Sequence, residues 1–262
     1  MNSKISVVIR SKNQAEKLAF LLRNLRTNFS AAIDEIVVVD NNSVDNSNQI
    51  ASQYNARFLT IANFSYGGSA NFAAQNVKND LVVIFSAHSF PINFDFFTQI
   101  KQRFDANPNL AGIRCLHSKN DFKNYINKVA APQDINGSGL IFSGSAFNKK
   151  VWEKYPFKAD IVTFEDKEWS TRVIKNGYEI EFSPSFFCYD IKRSPKELFF
   201  RFKNETVGGY QLWHTETTFF QIIKNFIFEF CASFLTLFTS VFYTFKRLFF
   251  MLGFFMNKPS KF

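Results

Sequence analysis

Cysteine is scarce in this chain, and glycine is thin. The three cysteines, Cys115, Cys188 and Cys231, lie far apart and form no CxxC pair. That excludes a disulfide framework and a cysteine zinc site, and it fits a reducing compartment. The 10 glycines include no G-x-G-x-x-G, so the usual dinucleotide cradle is missing. The formal charge is +9, yet there is no dense Lys/Arg cluster and no nucleic-acid motif, and nucleic acid is not the expected partner. The opening Met1-Asn2-Ser3-Lys4 lacks an apolar signal region, so the catalytic part is expected to stay in the cytoplasm. No internal repeat is present.

What the chain does have is unevenly distributed. At 262 residues it has length for one large domain and an appendage. Residues 190–262 hold ten Lys or Arg against five acids, and 17 of the 36 Phe. A basic, Phe-rich tail suits an anionic membrane surface. The expected division is a domain over 1–190 that carries the chemistry and a helical, membrane-associating region over 191–262.

The first part alternates strand and helix. Apolar runs predict strands over 5–10, 36–40, 57–61, 81–86, 111–116 and 178–182, the last ended by Pro184. Helical spacing predicts helices over 15–28, 45–54, 69–77, 94–104 and 164–176, the last closed by Gly177. This rhythm predicts an α/β fold with a mostly parallel sheet flanked by helices. Residues 119–139 are polar and weakly periodic and read as a long loop, and 139–147 as a strand near the site.

The tail predicts one long apolar helix over 219–256. Its 226–243 window carries one charge, Glu229, and about 20 apolar residues suffice to span a bilayer. Yet Asn225, Glu229, Ser233, Thr236, Ser240, Thr244 and Arg247 recur every three or four residues on one stripe. Lys224, Lys246 and Arg247 would sit at headgroup level. The expectation is an amphipathic helix lying in the interface on the inner face of the cell membrane, or docked by its stripe. A single transmembrane helix is the alternative, and pairing with a second copy is also open.

Four polar clusters follow strand ends or open helices: Arg10-Ser11-Lys12-Asn13, Asp40 to Ser43, Phe64 to Asn71, and Ser86-Ala87-His88-Ser89. In a parallel sheet they share the edge where ligands bind. Asp40 is placed either to accept from a base N–H or ribose hydroxyl, or to cap its own turn. Gly67-Gly68 either brings backbone close to a phosphate at a helix N-terminus or is an ordinary loop. His88 either ligates a divalent metal, contacts a diphosphate, or packs.

The strongest catalytic pattern is Glu165-Asp166-x-x-Trp169-x-x-Arg172. Both acids fall in the first turn of a helix, whose positive end favours carboxylate. A carboxylate in a cleft takes a proton from an attacking hydroxyl. On the same face Trp169 is placed to stack on a sugar and Arg172 to hold a phosphate or orient the acid. The plainer reading makes the acids complements of the helix dipole and Trp169 a core residue.

Together these residues resemble the family 2 glycosyltransferases of GT-A (Rossmann-like) fold, over roughly 5–184. Residues 7–13, Val-Val-Ile-Arg-Ser-Lys-Asn, look like the family's opening strand. Residues 38–45, Val-Val-Asp-Asn-Asn-Ser-Val-Asp, look like its VVDdgStD signature. Phe64-Ser65-Tyr66-Gly67 with Asn71 is similar to a rhamnosyltransferase-like branch, and the 164–178 block to its ED…R…Gy segment. The resemblance implies a nucleotide-diphosphate sugar donor, inversion at the anomeric carbon, and Asp166 as base beside Glu165. It places Ser11, Asn13, Asp40, Asn42, Ser43, Gly67, Gly68, Asn71 and Ser86 at the nucleotide sugar. It also implies transfer to a saccharide, here a lipid-linked one, in surface polysaccharide or lipopolysaccharide synthesis.

Two departures stand out. Most members carry Asp-x-Asp after the fourth strand to hold Mn²⁺ or Mg²⁺. Here Ser86-Ala87-His88 occupies that place, as it does in the branch the chain resembles, leaving His88 as the candidate ligand. After Pro184 the chain has Cys188-Tyr189-Asp190 where relatives often have His. A catalytically inactive scaffold of the same fold is the main alternative. A nucleotidyltransferase is a lesser one, since Arg10 to Asn13 lacks the glycines of its phosphate loop.

Overall fold

The structure, a computed structural model, describes residues 4–260. The chain opens with β1 (Ile5–Ser11), α1 (Ala15–Asn28), β2 (Ile33–Asp40), α2 (Ser47–Gln53), β3 (Arg57–Thr60), α3 (Tyr66–Asn76) and β4 (Leu81–Ser86). It continues with β5 (Ser89–Pro91), α4 (Phe96–Ala106), β6 (Leu110–Leu116), α5 (Lys119–Ile126), α6 (Ile135–Ser138) and β7 (Ser145–Asn148). Last come α7 (Lys149–Lys154), α8 (Glu165–Lys175), β8 (Glu179–Tyr189), α9 (Pro195–Trp213) and α10 (Phe219–Met256).

The strands form one sheet in the order β3-β2-β1-β4-β7-β6-β8-β5. The half from β3 to β4 is parallel, as is β6 with β8. β7 runs antiparallel to β4 and β6, and β5 antiparallel to β8. The sheet is therefore mixed.

The unbroken apolar strands serve two cores, because successive side chains point to opposite faces. Val7, Ile9, Ile36, Val38, Val83 and Phe85 pack with α1 and α4. Val8, Val37, Val39, Val82 and Ile84 pack with α3, α7 and α8. Two expectations change. Residues 119–139 are not a loop but hold α5 and α6, and α5 starts at a Ser118–Asp121 capping box that satisfies two orphan backbone donors. Pro184 does not end the last strand. β8 runs through it to Tyr189, with a register shift between Cys115/Ser183 and Leu116/Phe186. Such a bulge tolerates a residue that donates no ladder bond.

The chain divides into two compact units, Met1–Trp213 and His214–Phe262. α9 belongs to the first. A Cβ on its Gly208 would lie 2.7 Å from Thr163 Cγ2 and 2.9 Å from Phe164 Cδ2, so the missing side chain permits that close approach. The second unit is α10, which has a Thr218–Gln221 capping box and no buried residue. It is long and apolar enough to cross a membrane.

Candidate active site

Register brings the strand ends together. Ser11 pairs with Asp40 and Arg10 with Ser86, so three polar ends share one edge. Asp40 is buried. Its Oδ2 accepts from Ser43 N at 2.7 Å and its Oδ1 from the Ser43 hydroxyl at 2.5 Å. Ser43 Oγ in turn accepts from Asn13 N, and Asn13 Oδ1 from Val44 N. Asn13 and Asn42 both have φ near +50°, a region Asn tolerates. Asp40 thus ties two loops together. With Asn42 and Ser43 it also lines a hollow of about 390 Å³ closed by Phe58 and Thr60. Ser11 Oγ is buried with no hydrogen-bond partner among the described residues.

At α3 the two glycines allow close packing. A Cβ on Gly67 would lie 2.1 Å from Lys158 O, and one on Gly68 2.7 Å from Ser65 Oγ. Ser65 caps the helix by accepting from Gly68 N. Asn71 is also structural: its Nδ2 donates to Phe157 O, and its Oδ1 accepts from Phe157 N and Trp152 Nε1. Both ends of its side-chain amide are engaged inside the fold.

Glu165 and Asp166 do meet the strand edge. A cavity of about 550 Å³ is lined by Arg10, Ser86, His88, Glu165, Asp166 and residues of α9. Asp166 is half-buried. Its Oδ2 accepts from Phe142 N at 3.1 Å and its Oδ1 from Lys167 N at 2.8 Å. Glu165 is buried 3.9 Å from Arg10 Nη1. Burial, and then the charge of Asp166, pushes its carboxyl up to about 7, against the pull of Arg10. Lys167 donates to the carbonyls of Gly139 and Leu140, and burial brings its ammonium down to about 8. Phe164 precedes the helix at φ +69°, a left-handed conformation that a bulky residue rarely adopts. Three acids in the first turn, Arg172 and Lys175 in the last, and Gly177 at φ +84° bound α8.

Trp169 does not reach a sugar. It is 0% exposed, packs between Phe147 and Phe157, and donates to Tyr155 O. Arg172 also faces away, with Nε and Nη2 on the Glu168 carboxylate and Nη2 on Pro156 O. The 3.6-residue period places both on the packed side of α8.

His88 does not fit a divalent-metal site. Its Nδ1 meets Gln14 Oε1 at 2.9 Å, and its ring stands edge-on to Tyr189. With Gln14 accepting, Nδ1 carries the proton and Nε2 is a buried lone pair without a partner among the described residues. Burial, then the charges of Lys17, Arg193 and Arg10, lowers its imidazole to about 4. No group of three His, Cys, Asp or Glu side chains stands together among the described residues. One imidazole nitrogen amid cations is a poor donor set for Mn²⁺ or Mg²⁺, which prefer oxygen.

Several lining residues escaped the sequence. Arg114 donates twice to Asp121 Oδ1, while His117 Nδ1 lies 2.5 Å from Asp121 Oδ2. Burial alone would raise the Asp121 carboxyl, but His117 and Arg114 hold it well below the usual carboxylate range. Arg193 and Arg201 enter from the segment after β8 and from α9. The signal was the Cys188-Tyr189-Asp190 departure, which marked that segment as unusual.

Comparison with known proteins agrees with this fold. The Glycosyl transferase family 2 model matches residues 6–177. A dolichyl N-acetyl-α-D-glucosaminyl phosphate 3-β-D-2,3-diacetamido-2,3-dideoxy-β-D-glucuronosyltransferase of Methanococcus voltae is 22% identical over 75% of this chain and 70% of its own. A mannosyltransferase of Pyrobaculum calidifontis, solved with GDP-Man and Mn²⁺, superposes with TM-score 0.66 at 16% identity, covering 82% of this chain and 66% of that one. Glucosyl-3-phosphoglycerate synthase of Mycobacterium tuberculosis, solved with Mn²⁺ and UDP-Glc, gives TM-score 0.61 at 12% identity, covering 82% and 81%. The family match over residues 6–177 makes this chain a member of glycosyltransferase family 2, a glycosyltransferase whose sheet has the GT-A fold.

Proposed function

We propose that the protein transfers a sugar, with inversion, from a nucleotide-diphosphate donor to a lipid-linked saccharide in surface polysaccharide or lipopolysaccharide synthesis. The observation that carries this is Asp166, a half-buried carboxylate opening into the cavity and aimed by Phe142 N. Asp166 takes the acceptor hydroxyl's proton. The freed oxygen attacks the anomeric carbon from the face opposite the leaving diphosphate, so the sugar–phosphate bond breaks as the glycosidic bond forms. Glu165 is held partly protonated near pH 7 by its burial, and Asp166 is the acid that opens into the cavity. The hollow at Asp40, Asn42 and Ser43 is the assigned seat of the nucleoside, with Ser11 and Ser86 beside it.

The lipid-linked acceptor is supported by three observations. The Methanococcus relative is named for transfer to a dolichyl-phosphate-linked sugar. α9 exposes Leu198, Phe199 and Phe202, while its Phe200 lines the cavity. α10 would extend about 57 Å at 1.5 Å per residue, longer than a ~30 Å hydrocarbon core, which favours lying along the surface on the inner face of the cell membrane. The test is turnover by the full chain in detergent with a panel of UDP-, GDP-, dTDP- and CMP-sugars and a polyprenyl-diphosphate saccharide. Release of one nucleotide that depends on the acceptor supports the assignment. Nucleotide binding without transfer favours the scaffold.

A further inference from the structure

A nucleoside diphosphate leaving group needs positive charge where its own charge grows. At the end of β4 the donor set for a cation is one imidazole nitrogen, with Ser86 and Ala87 in place of carboxylates. What faces the cavity there is guanidinium. Tyr189 pairs with Ser89, and Asp190 N donates to His88 O at 2.8 Å, so the chain leading to Arg193 runs directly beside His88. The cavity's arginines differ in what holds them. Arg10 is braced by Phe142 O, Ser69 Oγ and Glu165. Arg114 is locked on Asp121, and Arg201 pairs with Glu205. Arg193 touches the Tyr189 hydroxyl at 3.2 Å and that ring's face at 5.7 Å, and its charge is felt by Glu197. It makes no salt bridge within 4.0 Å among the described residues, and its planar fork matches two phosphate oxygens.

We propose, on the transferase reading above, that Arg193, with Arg10 in the same cavity, binds the donor diphosphate in place of a divalent cation. As the bond from the anomeric carbon to the β-phosphate oxygen breaks, the electron pair stays on that oxygen. The Arg193 N–H groups face it, and the acceptor's proton goes to Asp166.

The experiment is calorimetric titration of the full chain in detergent with UDP, GDP, dTDP and CMP, each in EDTA and in Mn²⁺. One nucleotide is expected to bind with affinities within about threefold in the two buffers. Arg193→Ala is expected to weaken it in EDTA by about tenfold or more at an unchanged melting temperature, with Arg193→Lys in between. Binding seen only with Mn²⁺ overturns the inference and leaves the transferase standing, as does an Arg193→Ala protein that binds like the parent. No binding of any nucleotide in either buffer overturns both. Should Arg193→Ala fail to fold, the parent's response to EDTA and the Arg193→Lys variant decide.

Discussion

Arg10 Nη1 stands 3.9 Å from the buried carboxylate of Glu165. This contact joins the end of the first strand to the first turn of the acid-bearing helix, 155 residues later in the chain. Burial raises Glu165 to about 7 while Asp166, hydrogen-bonded to Phe142 N, opens into the cavity.

Asp166→Asn keeps size and hydrogen bonding but cannot take a proton. Turnover is expected to fall about 10²–10⁴-fold with the melting temperature little changed. Retained turnover in initial-rate assays would remove Asp166 as the base.

Glu165 makes stability depend on pH. Its folded value, about 7, lies above the ordinary 4.5, so the folded state holds the proton more tightly. Between those values the unfolded chain ionises first, and stability falls as pH rises through the window. Glu165→Gln removes the titration. The variant's melting temperature should gain on the parent's between pH 5 and pH 8, and a constant difference in thermal scans would refute the assignment.

His88 has the opposite sign. Its folded value is about 4 against 6.5, so the stability it contributes is present above pH 6.5 and is lost as pH falls toward 4. NMR titration of its ring proton, assigned with His88→Gln, should show a midpoint near pH 4. A midpoint near 6.5 would mean an exposed ring.

Trp169 belongs to the core. Trp169→Ala is expected to cost about 3–5 kcal/mol in chemical denaturation, and Trp169→Phe less. Trp169→Phe should leave the KM for donor and acceptor unchanged. A raised KM would put the indole back at the sugar.

Gly208→Ala tests the seat of the acid helix. The added Cβ meets Thr163 and Phe164, while Ala gains about 1 kcal/mol of helix propensity. The two effects oppose, so the melting temperature should change little. A shift of Phe164 moves Asp166, and kcat is expected to fall about tenfold with KM held. Unchanged kcat would separate α9 from the chemistry.

Local pattern alone told much of this. The continuous apolar strands, their polar ends, the acids at the start of α8, Gly177 and the long helix 219–256 all depend on neighbours within a few residues, through hydrogen-bond period and side-chain spacing. The plainer reading of Trp169, as core, was also legible beside the sugar-stacking one.

The tertiary structure decided the rest. Trp169 and Arg172 sit on a helix whose pattern does not say which side the second core will cover. Gly67 and Asn71 answer to Lys158 and Phe157, 91 and 86 residues away. Arg193 and Arg201 reach the cavity from the segment after β8 and from α9. Secondary structure is written in short-range periodicity, whereas the lining of a cavity is set by long-range closure, which brings together side chains that share no local pattern.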